Sequence, residues 1–513
     1  MKKSLQLIAL LMAALTVLAV FASCAEPENP SDVTTPSAVV DSTGGPDETK
    51  SIYDKDGYLL DKIPDDLKFN DEEINILCWK AERDEFEITE DKLDGTIVTE
   101  AIYNRNINTE SRLGVKLVWD MIPGDNGNID NFCKQVENQY AGGFIYDIIA
   151  TYTRTAGTLC TKGYLQDLND IENSYLDFSN PWWPARLTKT VDINGKMFFA
   201  SGDISTNILH FMYGIYYNKE LLNSMNLEDP VKFVDDKTWT IDKLIDMTKD
   251  AYSDLDGNGK ISEGDRFGFG AIYYHLDAFY TGSGLRLLES DPEELIVISE
   301  DFTSDKTIAL CDKLADWLVT ENCYISSDST TRSYQVPFVN GNELFCQNRV
   351  YMADQQNGCK LHDVTWEYGI LPTPLYDENQ EEYITVLGNP VTLWCIEKDQ
   401  TPERQSMNSA VMECLASYGY RLTTPALFET NMKYRYTPDQ KGDSMRMFDI
   451  IHDNIDFDLG RIFSKQNSYM SEIPTRIISD GGKYGAVATA KYKTVKTLIK
   501  NQLIKPLLEN YDW

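Results

Sequence analysis

The amino-acid sequence predicts an α/β fold that opens with a parallel sheet. Three short strand-like runs and two helical patterns between them carry this expectation. In the first run, Glu73-Ile74-Asn75-Ile76-Leu77-Cys78-Trp79 alternates and is β-branched enough for a strand. Residues 95–113 then place Ile97, Ala101, Ile107 and Leu113 at helical spacing. Gly114-Val115-Lys116-Leu117-Val118-Trp119 is the second strand, and a polar turn follows. Residues 132–140 are helical before Gly142-Gly143, and Tyr146-Asp147-Ile148-Ile149-Ala150 is a short buried strand. Strand, helix, strand, helix, strand is the start of a parallel sheet.

The chain has 513 residues, enough for about two or three domains of the usual ~100–200 residues. Its 42% hydrophobic and 25% charged content is that of an ordinary globular protein. Lys and Arg number 47 against 81 Asp and Glu, a net charge of -34 that repels phosphate backbones, so no nucleic-acid partner is expected.

The N-terminus directs that acidity outside the cytoplasm. Lys2 and Lys3 precede a mostly apolar stretch over residues 5–21, with Ala22 and Ser23 before Cys24. The stretch is shorter than the ~20 residues that span a bilayer comfortably, so residues 1–23 form an export signal and not a permanent span. Phe21-Ala22-Ser23-Cys24 resembles the bacterial lipobox, with Phe21 where Leu is usual. That resemblance implies lipidation of Cys24 and tethering to the outer face of the cell membrane. Residues 24–66 are expected to form a flexible acidic stalk, its early part holding Pro27, Pro30, Pro36 and Pro46 among Ser, Thr, Asp and Glu. The folded part is expected to begin near Leu67.

The nine cysteines after Cys24 are an odd number and show no C-x-x-C or Cys/His spacing for zinc. They read as buried free thiols, with room for one or two bridges.

Tyr146-Asp147-Ile148-Ile149-Ala150, then Leu159, Gly163-Tyr164-Leu165 and Asp167-Leu168 resembles the "D-hydrophobic, helix, G-x-L-x-D-L" passage of extracellular solute-binding proteins of bacterial ABC importers. Gly195-Lys196-Met197-Phe198-Phe199-Ala200 and Gly214-Ile215-Tyr216-Tyr217-Asn218-Lys219-Glu220-Leu221-Leu222 resemble "G-K-x-Y-x-x-P" and "Y-Y-N-K-x-L" of the family 1, carbohydrate-type members, with Ala200 in place of Pro. Thr238-Trp239-Thr240, Phe338-Val339-Asn340-Gly341 and Tyr368-Gly369-Ile370-Leu371-Pro372-Thr373-Pro374 continue the resemblance in family order. It spans residues 73–460.

The resemblance implies a two-lobe, periplasmic-binding-protein-like α/β fold with hinge segments and a central ligand cleft. The first lobe would comprise 67–209 and 388–420, and the second 210–387 and 421–513. Hinge crossings are expected near 209–213, 383–389 and 417–424. The implied function is capture of a small solute, an oligosaccharide above all, by a monomer that delivers it to permease subunits and has no catalysis of its own.

Residues 254–265, Asp254-Leu255-Asp256-Gly257-Asn258-Gly259-Lys260-Ile261-Ser262-Glu263-Gly264-Asp265, fit an EF-hand-like calcium loop. Asp254, Asp256, Asn258, Ser262 and Asp265 would offer side-chain oxygens and Lys260 its carbonyl. Gly259 would make the sharp turn and Ile261 the buried anchor, and the Ca²⁺ would be structural. Asp265 replaces the usual Glu, and the alternative is an acidic surface turn.

No H-E-x-x-H, G-x-S-x-G, P-loop or G-x-G-x-x-G pattern occurs. The 29 Tyr, 20 Phe and 9 Trp suit stacking on sugar rings. Loops at the carboxyl ends of first-lobe strands contact ligand in the family, which points to Trp79, Lys80, Thr151, Tyr152 and Arg154. Trp182, Trp183, Asp203, Tyr274, His275, Asp354, Gln355 and Asn389 sit in passages similar to other cleft loops. For each aromatic, ordinary core packing is the alternative; for Lys80 and Arg154 it is a solvated charge. An exported glycoside hydrolase and a calcium-stabilised surface adhesin are the rival functions.

Overall fold

Strands β1 (Glu72–Trp79), β2 (Val115–Ile122) and β3 (Ile148–Tyr152) pair in parallel, with β1 in the middle. The computed structural model describes residues 51–81, 84–328, 331–353, 361–428 and 442–513. The chain divides into units 1–52 and 53–513, and the elements below belong to the second. Ile74, Ile76, Leu77 and Cys78 of β1 are all fully buried, as helices covering both faces of a parallel sheet require.

The helix Ile97–Leu113 connects β1 to β2, starting at Thr96, whose side chain accepts from the Thr99 N–H, and ending at Gly114 in the left-handed conformation (φ 60°). Its buried face differs from the expected one. Ile97 and Ile107 are exposed, whereas Arg105 is fully buried and donates to the carbonyls of Ile204 and Glu85. A buried guanidinium with carbonyl partners takes the place an apolar side chain was expected to fill.

The chain then builds a second sheet. β4 (Tyr213–Asn218) and β5 (Phe267–Ile272) are followed by the hairpin β6 (Leu288–Asp291) and β7 (Leu295–Ile298), then β8 (Cys323–Ser326), β9 (Glu343–Arg349) and β10 (Tyr368–Leu371). The sheet order is β10-β4-β9-β5-β8, mixed in direction. After β11 (Thr385–Val386), β12 (Thr392–Ile396) returns to the first sheet antiparallel to β3, and β13 (Ile455–Asp456) pairs with β11. The fold is therefore α/β with two sheet-centred lobes.

Two segments that link the lobes lie side by side: Met212 bridges Leu387, and the Gly388 N–H donates to the Phe211 carbonyl at 2.8 Å. The helix Pro402–Tyr418 passes into a π-helical turn at Gly419–Thr423. A Cβ on Gly419 would lie 1.9 Å from the Asp203 carbonyl oxygen, so only glycine fits there.

Two boundaries differ from expectation. The stalk was expected to run to residue 66, yet Asp61 is buried, grips Arg112 through contacts of 2.6 and 2.7 Å, and accepts from the Ser417 hydroxyl at 2.7 Å. An ion pair and a buried Ile63 give this polar segment a fixed place that composition does not reveal. At the other end, the helix Lys505–Asn510 packs on the first-lobe helix Thr153–Thr161. Asn510 donates to the Thr161 carbonyl at 3.0 Å and the Tyr511 hydroxyl to that of Cys160 at 3.1 Å. The chain end thus belongs with the first lobe and not the second.

Among the described residues Cys78, Cys133, Cys160, Cys311, Cys323, Cys346, Cys395 and Cys414 are buried free thiols; Cys359 lies outside them. Burial pushes the Cys133 and Cys414 thiols up to about 12, which leaves them protonated and unreactive. Among the described residues no helix is long and apolar enough to cross a membrane. Cys24 and the signal lie outside the described residues.

Candidate functional site

The ends of strands from both sheets open on one cavity of about 370 Å³. From the first lobe come Asn126 beyond β2, Tyr152 at the end of β3, and Arg154 in the first turn of the helix that follows. Tyr213 opens β4, Tyr273, Tyr274 and Asp277 follow β5, and Arg349 ends β9. Asn389 and Pro390 enter from the second crossing, and Ser471, Glu472 and Thr475 from the C-terminal segment.

Charge is fixed in pairs around this cavity. Arg154 donates to Asn126 Oδ1 at 2.8 Å, lies 3.5 Å from Glu472, and covers the Tyr469 ring at 4.9 Å. Arg349 lies over the rings of Phe211, Tyr213 and Tyr274 and donates to the Tyr213 hydroxyl at 3.4 Å. Behind the lining, Arg461 approaches Asp277 at 2.9 Å and donates twice to Asn389 Oδ1, at 3.2 and 3.0 Å. Burial raises the Asp277 carboxyl above its usual range against the pull of Arg461, Arg349 and Arg154. Burial likewise raises the Tyr152 hydroxyl, which stays protonated.

Arg461 is held by its local structure. The short helix Leu459–Ile462 is capped by Asp458, whose carboxylate accepts from the Gly460 N–H at 2.6 Å. It presses so closely on the helix Thr153–Thr161 that a Cβ on Gly157 would lie 2.4 Å from the Ile462 carbonyl oxygen.

Of the expected ligand-binding residues, the structure brings Tyr152, Arg154, Tyr274 and Asn389 together in the cavity lining. Others lie elsewhere. Trp79 is core: it is 1% exposed, its indole N–H donates to the Thr392 hydroxyl at 2.9 Å, and its ring packs beneath Tyr152. Trp182 and Trp183 are also core, both donating to the buried carboxylate of Glu413, at 3.2 and 3.0 Å. Burial raises Glu413 to about 7. Each indole thus satisfies its N–H inside the protein and exposes no face for a sugar.

Asp203 is buried against Gly419, accepts from the Thr424 hydroxyl at 2.6 Å, and is raised by burial to about 6. His275 is fully buried between the rings of Tyr213, Tyr274 and Tyr334, and burial with the nearby Arg349 holds its pKa well below the usual value. Thr151 is buried within β3, and Lys80 is a solvated charge outside the cavity lining. Asp354 and Gln355 lie outside the described residues.

Sequence reasoning missed Asn126, Tyr213, Tyr273, Asp277, Arg349 and Glu472. Tyr273 could have been found from its place beside Tyr274 just after a strand; the rest carry no local signal.

The 254–265 loop gathers three carboxylates. Asp254, Asp256 and Asp265 each offer an oxygen within 4.8 Å of the others'. Asp254 accepts from the N–H groups of Gly257 at 2.7 Å and Gly259 at 2.8 Å, and both glycines have φ near 70° (71° and 70°). Backbone donation from Gly259 and Gly257 lowers the Asp254 pKa. Asn258 accepts from the Lys260 N–H at 2.7 Å, Ser262 from that of Gly264 at 3.3 Å, and Asp265 from that of Ser262 at 2.9 Å. Ile261 is not the buried anchor expected: it is 56% exposed.

Comparison with solved structures defines the class of fold. The galacto-N-biose-/lacto-N-biose I-binding protein of an ABC transporter from Bifidobacterium longum, in complex with lacto-N-biose, matches with TM-score 0.56 at 14% identity, over 85% of this chain and 98% of that one. The cyclic alpha-maltosyl-1,6-maltose binding protein from Arthrobacter globiformis matches with TM-score 0.55 at 13% identity, over 84% and 100%. The GacH receptor of Streptomyces glaucescens, solved with acarbose, matches with TM-score 0.52 at 14% identity, over 84% and 99%. This chain has the two-lobe fold of these sugar-binding proteins. No protein-family model and no curated protein matches it.

Proposed function

We propose that this protein is the lipid-anchored substrate-binding component of an ABC importer, capturing an oligosaccharide and delivering it unchanged to permease subunits. One observation carries the reading: the cavity is assembled from the strand ends of two sheet-centred lobes. Groups that must come from both lobes to enclose a solute make binding and closure the same event. Tyr152, Tyr273 and Tyr274 supply ring faces, and Asn126 and Asn389 amides, which is the mixture a sugar needs. The sugar-binding proteins of the same fold support this ligand class.

The working form is a monomer on the outer face of the membrane, exported by residues 1–23 and held through Cys24. A calcium ion in the 254–265 loop, ligated by Asp254, Asp256, Asn258, Lys260, Ser262 and Asp265, would stiffen that turn. It takes no part in capture.

Calorimetry and small-angle scattering with a glycan panel test the reading. A saturable heat, a smaller radius of gyration and recovery of intact ligand are expected. Hydrolysis of a glycan by the pure protein would make it an enzyme, and binding without compaction would fit an adhesin. Wild-type protein found unacylated in the medium would remove the anchor.

A further inference from the structure

We propose that the saccharide runs past Glu472 out of the main cavity and into a second one, where its outer rings lie on Tyr469, so that the molecule captured is longer than the main cavity alone encloses. This deepens the solute-binding reading and rests on it. The second cavity, of about 290 Å³, is lined by Tyr469, Glu472, Ile473, Arg476 and Lys491 among others. Glu472 lines both cavities. The helix Glu472–Ser479 accounts for this sharing. At 3.6 residues per turn, Ser471, Glu472 and Thr475 of the main cavity fall on one face, and Glu472, Ile473 and Arg476 of the second fall on the next. A run of sugar rings laid over the start of this helix reaches both.

Tyr469 stands at the join. Arg154, which lines the main cavity, lies over the Tyr469 ring at 4.9 Å, and that ring lines the second cavity. Tyr469 is half-buried, as an aromatic platform with one packed and one wet side is. Its backbone is left-handed, with φ 57°, and that of Ser468 before it has φ 58°. Two successive residues with a Cβ in this region cost free energy, and strain of that kind gathers at ligand sites. The turn is held by the Tyr469 N–H, which donates to the Ser464 carbonyl at 2.7 Å, and by the Met470 N–H, which donates to Asn467 Oδ1 at 3.0 Å.

The chemistry along this path suits a sugar. Glu472 takes Arg476 at 2.9 Å and stands 3.5 Å from Arg154. A carboxylate accepts about four hydrogen bonds, so Glu472 keeps capacity for ligand hydroxyls. Ile473, Ile477 and Val487 add apolar surface beside the Tyr469 ring, and Arg476 and Lys491 add donors. Apolar surface for the C–H faces and charged groups for the hydroxyls are the two needs of a pyranose ring.

Calorimetric titration of the full chain with malto-, cello-, xylo-, manno- and chito-oligosaccharides, each from disaccharide to heptasaccharide, tests this. In a series that binds, wild-type affinity is expected to keep rising beyond the disaccharide. Tyr469→Gly removes the ring and leaves a residue that takes the left-handed backbone freely. Its loss of affinity should be at least about threefold greater for the pentasaccharide than for the disaccharide. Tyr469→Phe keeps the ring and should keep the wild-type length dependence. The wild-type length series decides the matter by itself should Tyr469→Gly fold poorly. Equal wild-type affinity at every length, or an equal loss at every length in Tyr469→Gly, would overturn the second cavity's role and leave the transport reading intact. No saccharide bound in any series would overturn the sugar reading on which it rests.

Discussion

The Arg461 guanidinium lies 2.9 Å from the Asp277 carboxylate. Arg461 stands on a segment packed against the first-lobe helix Thr153–Thr161, and Asp277 follows β5 of the second lobe. The pair therefore spans the two lobes behind the cavity. Arg461 also fixes Asn389, so one side chain links the second crossing, the second lobe and the ligand-facing amide.

Removing one partner leaves the other buried and uncompensated. Arg461→Gln is expected to cost about 3 kcal/mol in urea unfolding. Adding Asp277→Asn should recover a good part of it, because the stranded charge is removed as well. Equal stability of the single and double variants would show that the pair is not coupled.

Glu413 gives the protein a pH dependence of defined sign. Burial raises its folded pKa from the ordinary 4.5 to about 7. A carboxyl raised on folding contributes stability that is present at low pH and lost as pH rises through the folded value. The stability advantage of wild type over Glu413→Gln should therefore shrink between pH 5 and 8, by about 3 kcal/mol at most. Denaturant unfolding across that range measures it, and a constant gap would mean that Glu413 does not titrate there.

Tyrosines of the lining and tryptophans of the core should separate binding from stability. Tyr152→Ala or Tyr274→Ala is expected to weaken saccharide binding by about 1 kcal/mol, the usual worth of an aromatic face. Trp182→Phe leaves a buried acceptor of Glu413 unmet and should cost about 1–3 kcal/mol of stability with affinity unchanged. Weaker binding in Trp182→Phe would return that residue to the cleft.

Calcium should act on stability alone. Millimolar calcium is expected to raise the melting temperature of the metal-stripped protein, since an ion that binds only the folded state stabilises it by mass action. The rise should vanish in Asp254→Ala/Asp256→Ala. An equal rise in that variant would move the ion elsewhere.

Local order was legible in the chain wherever neighbours in sequence decide it. The alternation at 73–79, the helix closing at Gly114 and the short strand before Arg154 all follow from nearby residues, and so does the turn geometry of the 254–265 loop. Strand ends of an open sheet are where ligands bind, so Tyr152 and Arg154 could be pointed to from β3 alone. The resemblance in passage order extended this to two lobes.

Only the tertiary structure decided which side chains meet. Asn126, Asp277, Arg349 and Glu472 come from segments far apart in sequence, and nothing local marks any of them as facing a cavity. Trp182 and Trp183 show the converse: an indole pair reads alike whether it stacks on a sugar or donates to a buried Glu413, 230 residues away. The sequence by itself determined the periodicities and the acidic balance, because these depend on composition and short-range spacing. Burial, charge pairing and the fixed place of Asp61 depend on partners such as Arg112 and Ser417, and folding alone brings those partners within reach.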